Sequence, residues 1–282
     1  MTALALFCLS LLEGRPKIPK KEIRVREEIK KPPAKKSARI LVGKADHQRG
    51  RESVIPHIKE TRQVAILIDD IGQDMDALRE LLTINAQLSF AVLPHLAHST
   101  EAARTLHRSA REILLHLPME PQSYPNERPG DGALFLSMSD NEIRSQFQKD
   151  LAGVPHAVGV NNHMGSQFTE DEGKMAVIMT LLKEKGLYFV DSRTTQDTKA
   201  RAAADRIGVR FLARKIFIDN DQTYEASLQN LTRVLHDSSM KGDRPILLIG
   251  HPYPSTILAI RDAVPLLRAK GIEIVSVSKL VH

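Results

Sequence analysis

Two adjacent carboxylates, Asp69 and Asp70, come at the end of an unbroken apolar run that begins at Val64. Such a run is typical of a strand buried on both faces of a parallel sheet. Acids at the carboxyl end of such a strand lie where α/β proteins place their chemistry. Successive strand residues face opposite ways, so both acids can enter one site only if the strand breaks at Asp70. An isolated pair of acids before a helix is more often an N-cap.

Polar and ionisable side chains also follow other apolar segments, at the points where strands are expected to end. They are His116 and Glu120 after the third strand, Asn161, Asn162, His163 and Ser166 after the fourth, Asp191 and Arg193 after the fifth, and His251 after the seventh. On a barrel these strand ends all face one mouth. Independent caps and turns would instead scatter over both ends of the strands, so the shared position predicts a single site.

Imidazole and carboxylate groups at one mouth indicate a divalent metal. We expect Asp70, His116 and His163 to be the ligands, because two histidines and one carboxylate leave a position open for water, as in catalytic zinc sites. Iron(II) uses the same ligand types, so the metal is left open and an iron(II) oxygenase is a further hypothesis. His95 would reach the same mouth, but it has no partner motif in the sequence and we leave it unassigned.

The elements that must position these residues form a regular alternation of strands and helices from Val64 onward. The predicted strands are 64–70, 88–93, 112–117, 157–162, 187–190, 209–212, 245–249 and a short last one at 272–275, with helices between them. Two capping boxes, at Ser139 and Thr169, predict the starts of two of those helices. About seven βα units with short connections indicate a parallel sheet. The absence of a glycine fingerprint or phosphate loop favours a barrel over a nucleotide-binding open sheet.

Composition narrows the possible partners. The net charge of +6 comes from residues 15–62, while the remainder is near balance, which argues against a nucleic-acid-reading face. Aromatic residues make up only 4% of the chain, with no Trp, so stacking platforms for sugars or single-stranded nucleic acid are few. Cys8 is the single cysteine, which excludes an intrachain disulfide and a cysteine-based metal cage.

The chain divides into three parts. Residues 1–12 form an apolar segment that is too short to span a bilayer, which needs about 20 residues. We interpret it as a truncated signal or anchor, although it lacks preceding positive residues and a chance apolar segment is the alternative. Residues 13–61 are a basic, Pro- and Lys-rich stretch that we predict to be a disordered linker, able to stay near anionic lipid. Residues 62–282 are predicted to form the folded domain.

The motifs resemble those of the polysaccharide deacetylase (NodB-homology) superfamily, and in particular its divergent branch in bacterial envelopes. The resemblance covers Val64 to the C-terminus. It rests on Asp69-Asp70 after the first strand and on three segments, which are His116-Leu117-Pro118-Met119-Glu120, Asn161-Asn162-His163-Met164-Gly165-Ser166 and Gly250-His251-Pro252. The family implies a distorted seven-stranded (β/α) barrel, a divalent metal that is usually zinc, and hydrolysis of an N-acetyl group on a sugar.

The resemblance also implies roles for single residues. Asp69 matches the catalytic base, Asp70 a metal ligand, His116 the first metal histidine and His251 the late histidine that acts as the acid. The usual second metal histidine, four residues after the first, is replaced by Glu120. Either Glu120 or His163 could complete the metal site, and we favour His163 because nitrogen ligands suit zinc.

We therefore expect a periplasmic or cell-envelope hydrolase that removes N-acetyl or similar groups from a glycan, and that can associate with the membrane through its N-terminus. Arg193 is expected to pair with Asp69 and keep it ionised, and Asn161, Asn162 and Ser166 to contact substrate or satisfy backbone groups. The alternative is a non-catalytic protein of the same fold that binds a glycan or a partner. The scarcity of aromatic residues favours the binder, whereas the acid–base pair of Asp69 and His251 favours the enzyme.

Overall fold

The computed structural model describes residues 62–236 and 245–282. The predicted apolar segment at 1–12 and the linker at 13–61 lie outside the described residues. The described strands are β1 (Arg62–Ile71), β2 (Ser89–Val92), β3 (Glu112–Met119), β4 (Gly159–Met164), β5 (Tyr188–Asp191), β6 (Phe211–Ala213), β7 (Ile216–Phe217), β8 (Ile246–Gly250) and β9 (Ile272–Val275). The described helices are α1 (Met75–Leu82), α2 (Ser99–Arg108), α3 (Asp140–Gly153), α4 (Glu172–Lys185), α5 (Ala200–Ile207), α6 (Tyr224–His236) and α7 (Pro254–Ala269).

The strands form one parallel sheet in the order β6-β5-β4-β3-β2-β1-β8-β7, with β9 paired to β1 beside this path. The two ends of the path, β6 and β7, are consecutive in the chain and are joined by Arg214 and Lys215. The Arg214 N–H donates to the Asp191 carbonyl of β5 (2.9 Å) and the Lys215 N–H to the Leu247 carbonyl of β8 (2.8 Å). The connection thereby bridges both edges, and the sheet curls into the expected distorted (β/α) barrel.

The strand count differs from the sequence prediction. The continuous path has eight strands rather than seven, because β7 pairs with β8 as a separate strand. β7 has only two residues, which is too short for a periodic signal in the sequence.

Alternation along the strands separates two apolar layers. In β1, Val64, Ile66 and Ile68 pack against the surrounding helices, whereas Ala65 and Leu67 face the barrel interior. Side chains from the C-terminal segment, Val277, Leu280 and Val281, complete the interior cluster. The barrel interior next to the C-terminal segment is therefore a packed apolar core. A site for chemistry is expected at the carboxyl ends of the strands.

The two predicted capping boxes have different outcomes. The Ser139 box forms as expected at the start of α3. The Thr169 prediction is wrong, because Asp171 is the N-cap of α4 and accepts a hydrogen bond from the Lys174 N–H. Thr169 lies instead within a short 3-10 helix at Phe168–Glu170, and its hydroxyl donates to the Gly165 carbonyl (2.8 Å).

Among the helices of the described ranges, none has the length and apolar character needed to cross a membrane.

Candidate metal centre

A β-bulge in β1 brings both acids of the opening motif to the mouth. The pairing of β1 with β2 shifts register between Ile68 and Ile71, and Asp70 has φ 56°, in the left-handed region that non-glycine residues rarely adopt. The sequence predicts that this strand ends at Asp70, but in the structure it continues to Ile71. Asp69 keeps the inward alternation of Ala65 and Leu67, and the bulge turns Asp70 toward the same mouth.

The other site residues follow the ordinary alternation of their strands. His116 continues the inward series of Leu114 in β3, and His251 continues that of Leu247 and Ile249 at the end of β8. Asn161 and His163 occupy alternate positions of β4. Parallel strands end together, so these side chains converge although they lie far apart in the sequence.

Three ligand atoms meet at the centre of this mouth. Oδ1 of Asp70 lies 3.1 Å from Nε2 of His116 and 3.1 Å from Nδ1 of His163, and the two ring nitrogens are 3.1 Å apart. In the described part of the chain, this trio is the group of histidine and acidic side chains arranged to hold a metal ion.

The geometry and chemistry of the trio fit a divalent metal. Oδ1 of Asp70 is buried and has no hydrogen-bond partner, which is costly unless something else satisfies it. A tetrahedral centre with bonds of about 2.0–2.1 Å separates its ligand atoms by roughly 3.3 Å, close to the separations found here. Burial raises the pKa of Asp70, but the two neighbouring imidazoles lower it well below its usual value, so the carboxylate stays ionised.

Asn161 fixes which nitrogen of His116 faces the trio. The amide nitrogen of Asn161 donates to Oδ1 of Asp69 (2.9 Å), because an ionised carboxylate only accepts hydrogen bonds. The amide oxygen must then accept from Nδ1–H of His116 (3.0 Å). Because the neutral His116 ring then carries its proton on Nδ1, its Nε2 has a free lone pair that faces the trio, as metal ligation requires.

Asp69 lies directly beside the trio and is almost wholly buried. Its Oδ2 is 3.7 Å from Nε2 of His116. Burial raises the pKa of Asp69, partly offset by the nearby charges of His116 and His251 and by the Asn161 hydrogen bond. A carboxylate with a raised pKa is a stronger base than one in water.

His251 flanks the trio on another side, with Nε2 at 3.9 Å from Oδ2 of Asp70. Its Nδ1 donates to Oδ1 of Asp219 (2.9 Å), and its backbone N–H donates to Oδ2 of the same residue (2.6 Å). Burial lowers the pKa of His251, but the hydrogen bond and charge of Asp219 outweigh this and raise it to about 9. A protonated Nε2 is therefore available at neutral pH, beside a carboxylate base.

Asp219 was missed by sequence reasoning. It is buried after β7 and accepts a third hydrogen bond, from the Thr256 hydroxyl (2.8 Å). The signal that could have found it is the acid that ends the apolar triplet Ile216-Phe217-Ile218, but so short a strand was not predicted.

Four of the remaining predicted residues satisfy local backbone or side-chain groups. Oε2 of Glu120 accepts from the Leu136 N–H (2.6 Å), so this carboxylate anchors the following loop and lies outside the trio. The other contacts are Asn162 to the Met164 carbonyl (2.7 Å) and the Ser192 N–H (2.9 Å), Ser166 to the Gln122 N–H (3.0 Å), and Asp191 to the Arg193 N–H (2.7 Å) and the Thr198 hydroxyl (3.0 Å).

The expected pair of Arg193 with Asp69 is not formed among the described residues. Arg193 has φ 48° and an exposed side chain, and Asp69 is contacted instead by Asn161 and His116. His95 also lies outside the trio, because its Nε2 is bound 2.7 Å from Oδ1 of the buried Asp150 on α3.

Comparison with known proteins gives one family and one fold. The family model described as divergent polysaccharide deacetylase matches residues 66–281. The chain is similar to the protein YibQ of Escherichia coli (36% identical over 203 residues, 72% of this chain and 62% of that protein, which is less than two thirds of its length). It is also similar to an uncharacterized protein of Haemophilus influenzae (33% identical over 199 residues, 71% of this chain and 70% of that protein). Among solved structures, a protein of Agrobacterium tumefaciens has the same fold with a TM-score of 0.72 at 21% identity, covering 78% of this chain and 89% of that one.

Proposed function

This chain belongs to the divergent polysaccharide deacetylase family, and we propose that it is a metal-dependent hydrolase that removes N-acetyl or similar acyl groups from a bacterial envelope glycan. Asp70, His116 and His163 would hold the metal, Asp69 would be the base and His251 the acid. We take the metal to be zinc, because two imidazoles and one carboxylate suit it. The proposed location is the periplasm or cell envelope.

The observation that supports the proposal is that a carboxylate, Asp69, and an imidazole, His251, both lie next to the trio. Asp69 contacts the trio through His116 (3.7 Å), and His251 contacts it through Asp70 (3.9 Å). A protein that only binds a glycan has no need of such a pair. Amide hydrolysis needs both members, because one proton must leave the attacking water and another must reach the departing amine.

The residues divide the reaction between them. A divalent metal held by the trio would supply Lewis acidity to the amide carbonyl and acidity to the attacking water. Asp69 takes the proton from that water, and the Asn161 amide holds the Asp69 carboxylate toward the trio. Nε2 of His251 gives its proton to the departing amine, and Asp219 keeps that proton on Nε2 by accepting the hydrogen bond from Nδ1.

Replacement of Asp69 by Asn tests the proposal. We expect Asp69→Asn to lower kcat for acetate release from chitooligosaccharides or peptidoglycan fragments by about 10²–10⁴-fold, the range for loss of a general base. Zinc content, measured by elemental analysis of the purified chain, should stay unchanged because the trio is intact.

Asp131→Asn is the matched control, since Asp131 is exposed on the loop after β3 and should leave both quantities unchanged. Full activity of Asp69→Asn would show that Asp69 is not the base. Zinc binding together with glycan binding but without acetate release from any N-acetylated glycan would make the chain a non-catalytic binder. A requirement for O2 would indicate an iron(II) oxygenase instead.

A further inference from the structure

Two arginines line the side of the mouth formed by β5, β6 and β7. Arg214 is half-buried, and its guanidinium is fixed from three directions. Nε donates to the Ser192 carbonyl (2.6 Å), one Nη donates to the Arg193 carbonyl (2.9 Å), and Cζ lies 3.7 Å from the centroid of the Phe217 ring. The other Nη makes no hydrogen bond within the described ranges, so a rigid cation presents a free N–H edge.

Neither Arg193 nor Arg214 forms a salt bridge in the described part of the chain, although the charges of Asp191 and Asp69 act on Arg214 and oppose the lowering of its pKa. The closest acids are committed elsewhere, since Asp191 accepts from the Arg193 N–H (2.7 Å) and the Thr198 hydroxyl (3.0 Å), and Asp69 accepts from Asn161 (2.9 Å). Burial and the charge of Arg193 lower the pKa of Arg214 to about 10. Two neighbouring like charges without a direct ion pair are stabilised when an anion binds to both.

This cationic pair adjoins the proposed reaction centre. The Phe217 ring that contacts Arg214 is also stacked on the His251 imidazole, with centroids 5.9 Å apart. The hydroxyl of Ser192, whose carbonyl accepts from Arg214, is 3.4 Å from the Asn161 amide nitrogen. A substrate whose acyl group is at the trio would thus extend past Phe217 to the two guanidiniums.

We propose that Arg193 and Arg214 bind a carboxylate of the substrate, so that the preferred glycan is an acidic amino sugar rather than a neutral one. The inference rests on the proposed deacetylation at the same mouth. Two guanidinium groups can each bind one oxygen of a carboxylate in charge-assisted hydrogen bonds. The exposed Arg193 would be ordered by the anion, while Arg214 is already positioned.

A substrate pair that differs only in charge tests this inference. The probes are the disaccharide N-acetylglucosaminyl-N-acetylmuramic acid and its methyl ester, given to the zinc-loaded full chain. We expect kcat/KM to be at least about tenfold higher for the acid, in keeping with a hydrogen bond to a charged group. The ratio of acid to ester should fall toward one in Arg193→Gln, and Arg214→Lys should keep part of it.

Arg210→Gln is the matched control, because Arg210 is exposed and packs on Tyr188 at the opposite end of the barrel, and it should keep the parent ratio. Equal kcat/KM for acid and ester in the parent, or an unchanged ratio in Arg193→Gln, would overturn the inference. If neither compound is hydrolysed, the proposed function is decided by acetate release from the other N-acetylated glycans named above. Calorimetry then tests the carboxylate site directly. The acid should bind more tightly than the ester, and Arg193→Gln should remove that difference.

Discussion

At the amino end of the barrel strands, Glu112, Ser89 and the C-terminal segment form one hydrogen-bonded network, whereas at the carboxyl end the carboxylate oxygen Oδ1 of Asp70 has no hydrogen-bond partner. Oε2 of Glu112 accepts from the Ser89 hydroxyl (2.6 Å), Oε1 accepts from the Ser278 N–H (3.1 Å), and Oγ of Ser89 accepts from the Val277 N–H (3.1 Å). This network, the floor of the barrel, ties the C-terminal segment to β2 and β3. At the mouth, Oδ1 of Asp70 meets two imidazole nitrogens and remains without a hydrogen-bond partner.

Non-glycine residues with positive φ are also more frequent at the mouth than at the floor, among the described residues. Four non-glycine residues with positive φ follow or end strands at the mouth, namely Asp70, His95, Met164 and Arg193. The other two in the described ranges, Ala110 and His156, follow helices α2 and α3 at the floor end. Backbone strain of this kind costs about 1–3 kcal/mol per residue and persists where the surroundings enforce it.

The difference indicates that the floor contributes stability and that the mouth is maintained for function at some expense of stability. A metal bound at the trio would supply the interactions that the mouth lacks, because binding to the folded state alone stabilises it. Substitutions at the two ends should therefore separate activity from stability.

The largest expected effect is on metal binding at the mouth. His163→Ala removes one member of the trio, and we expect zinc affinity to fall by more than the roughly 10–100-fold typical of an outer-shell partner. Equilibrium dialysis or a competing chelator measures the change. Glu120→Gln is the matched control, because its side-chain oxygen can still accept from the Leu136 N–H, and it should keep zinc affinity.

A reversed result, with zinc lost in Glu120→Gln and retained in His163→Ala, would assign the third position to Glu120. The orphaned oxygen of Asp70 would then belong to a different ligand set, made of Asp70, His116 and Glu120.

Much of the mouth could be predicted because period-2 alternation acts locally. The apolar runs place Asp69, His116 and His251 at inward-facing strand ends, and parallel strands end at one rim, so the sequence was enough to predict that they converge. The barrel itself follows from the same alternation of strands and helices.

What could not be predicted depends on non-local contacts. The bulge that turns Asp70 inward depends on the register between β1 and β2, and the pairing of His251 with Asp219 depends on a strand of two residues. His95 lacked a sequence motif because its partner, Asp150, is on a helix 55 positions away. The predicted pair of Arg193 with Asp69 is absent from the described residues, where Arg193 has a left-handed backbone and an exposed side chain.

A smaller effect is expected on proton transfer at the mouth. The pKa of His251 is raised from 6.5 to about 9, so the stability that its protonated form contributes is present below pH 6.5 and is lost as the pH rises through 9. Asp219→Asn removes the charge that raises this pKa, and His251 should then titrate at lower pH. NMR titration of the metal-free protein measures this shift directly.

The alkaline limb of the pH–rate profile should move to lower pH in the same variant, since His251 must be protonated to act as the acid. If His251 titrates lower but the limb does not move, another group supplies the proton. An unchanged His251 pKa would show that Asp219 does not control it.

The smallest effect is predicted at the floor, where stability should change without activity. Glu112→Gln removes the negative charge that accepts from the Ser89 hydroxyl and from the Ser278 N–H, which reaches both carboxylate oxygens (3.1 and 3.3 Å). We expect the free energy of unfolding in urea to fall by about 1 kcal/mol, because hydrogen bonds to a charged group are stronger than neutral ones. The exposed Glu225 on α6 provides the control, Glu225→Gln, which should be neutral. Because the floor lies at the far end of the barrel from the trio, zinc affinity and kcat should match the parent. A loss of kcat in Glu112→Gln at full folding would mean that the two ends are coupled and that stability and function are not divided between them.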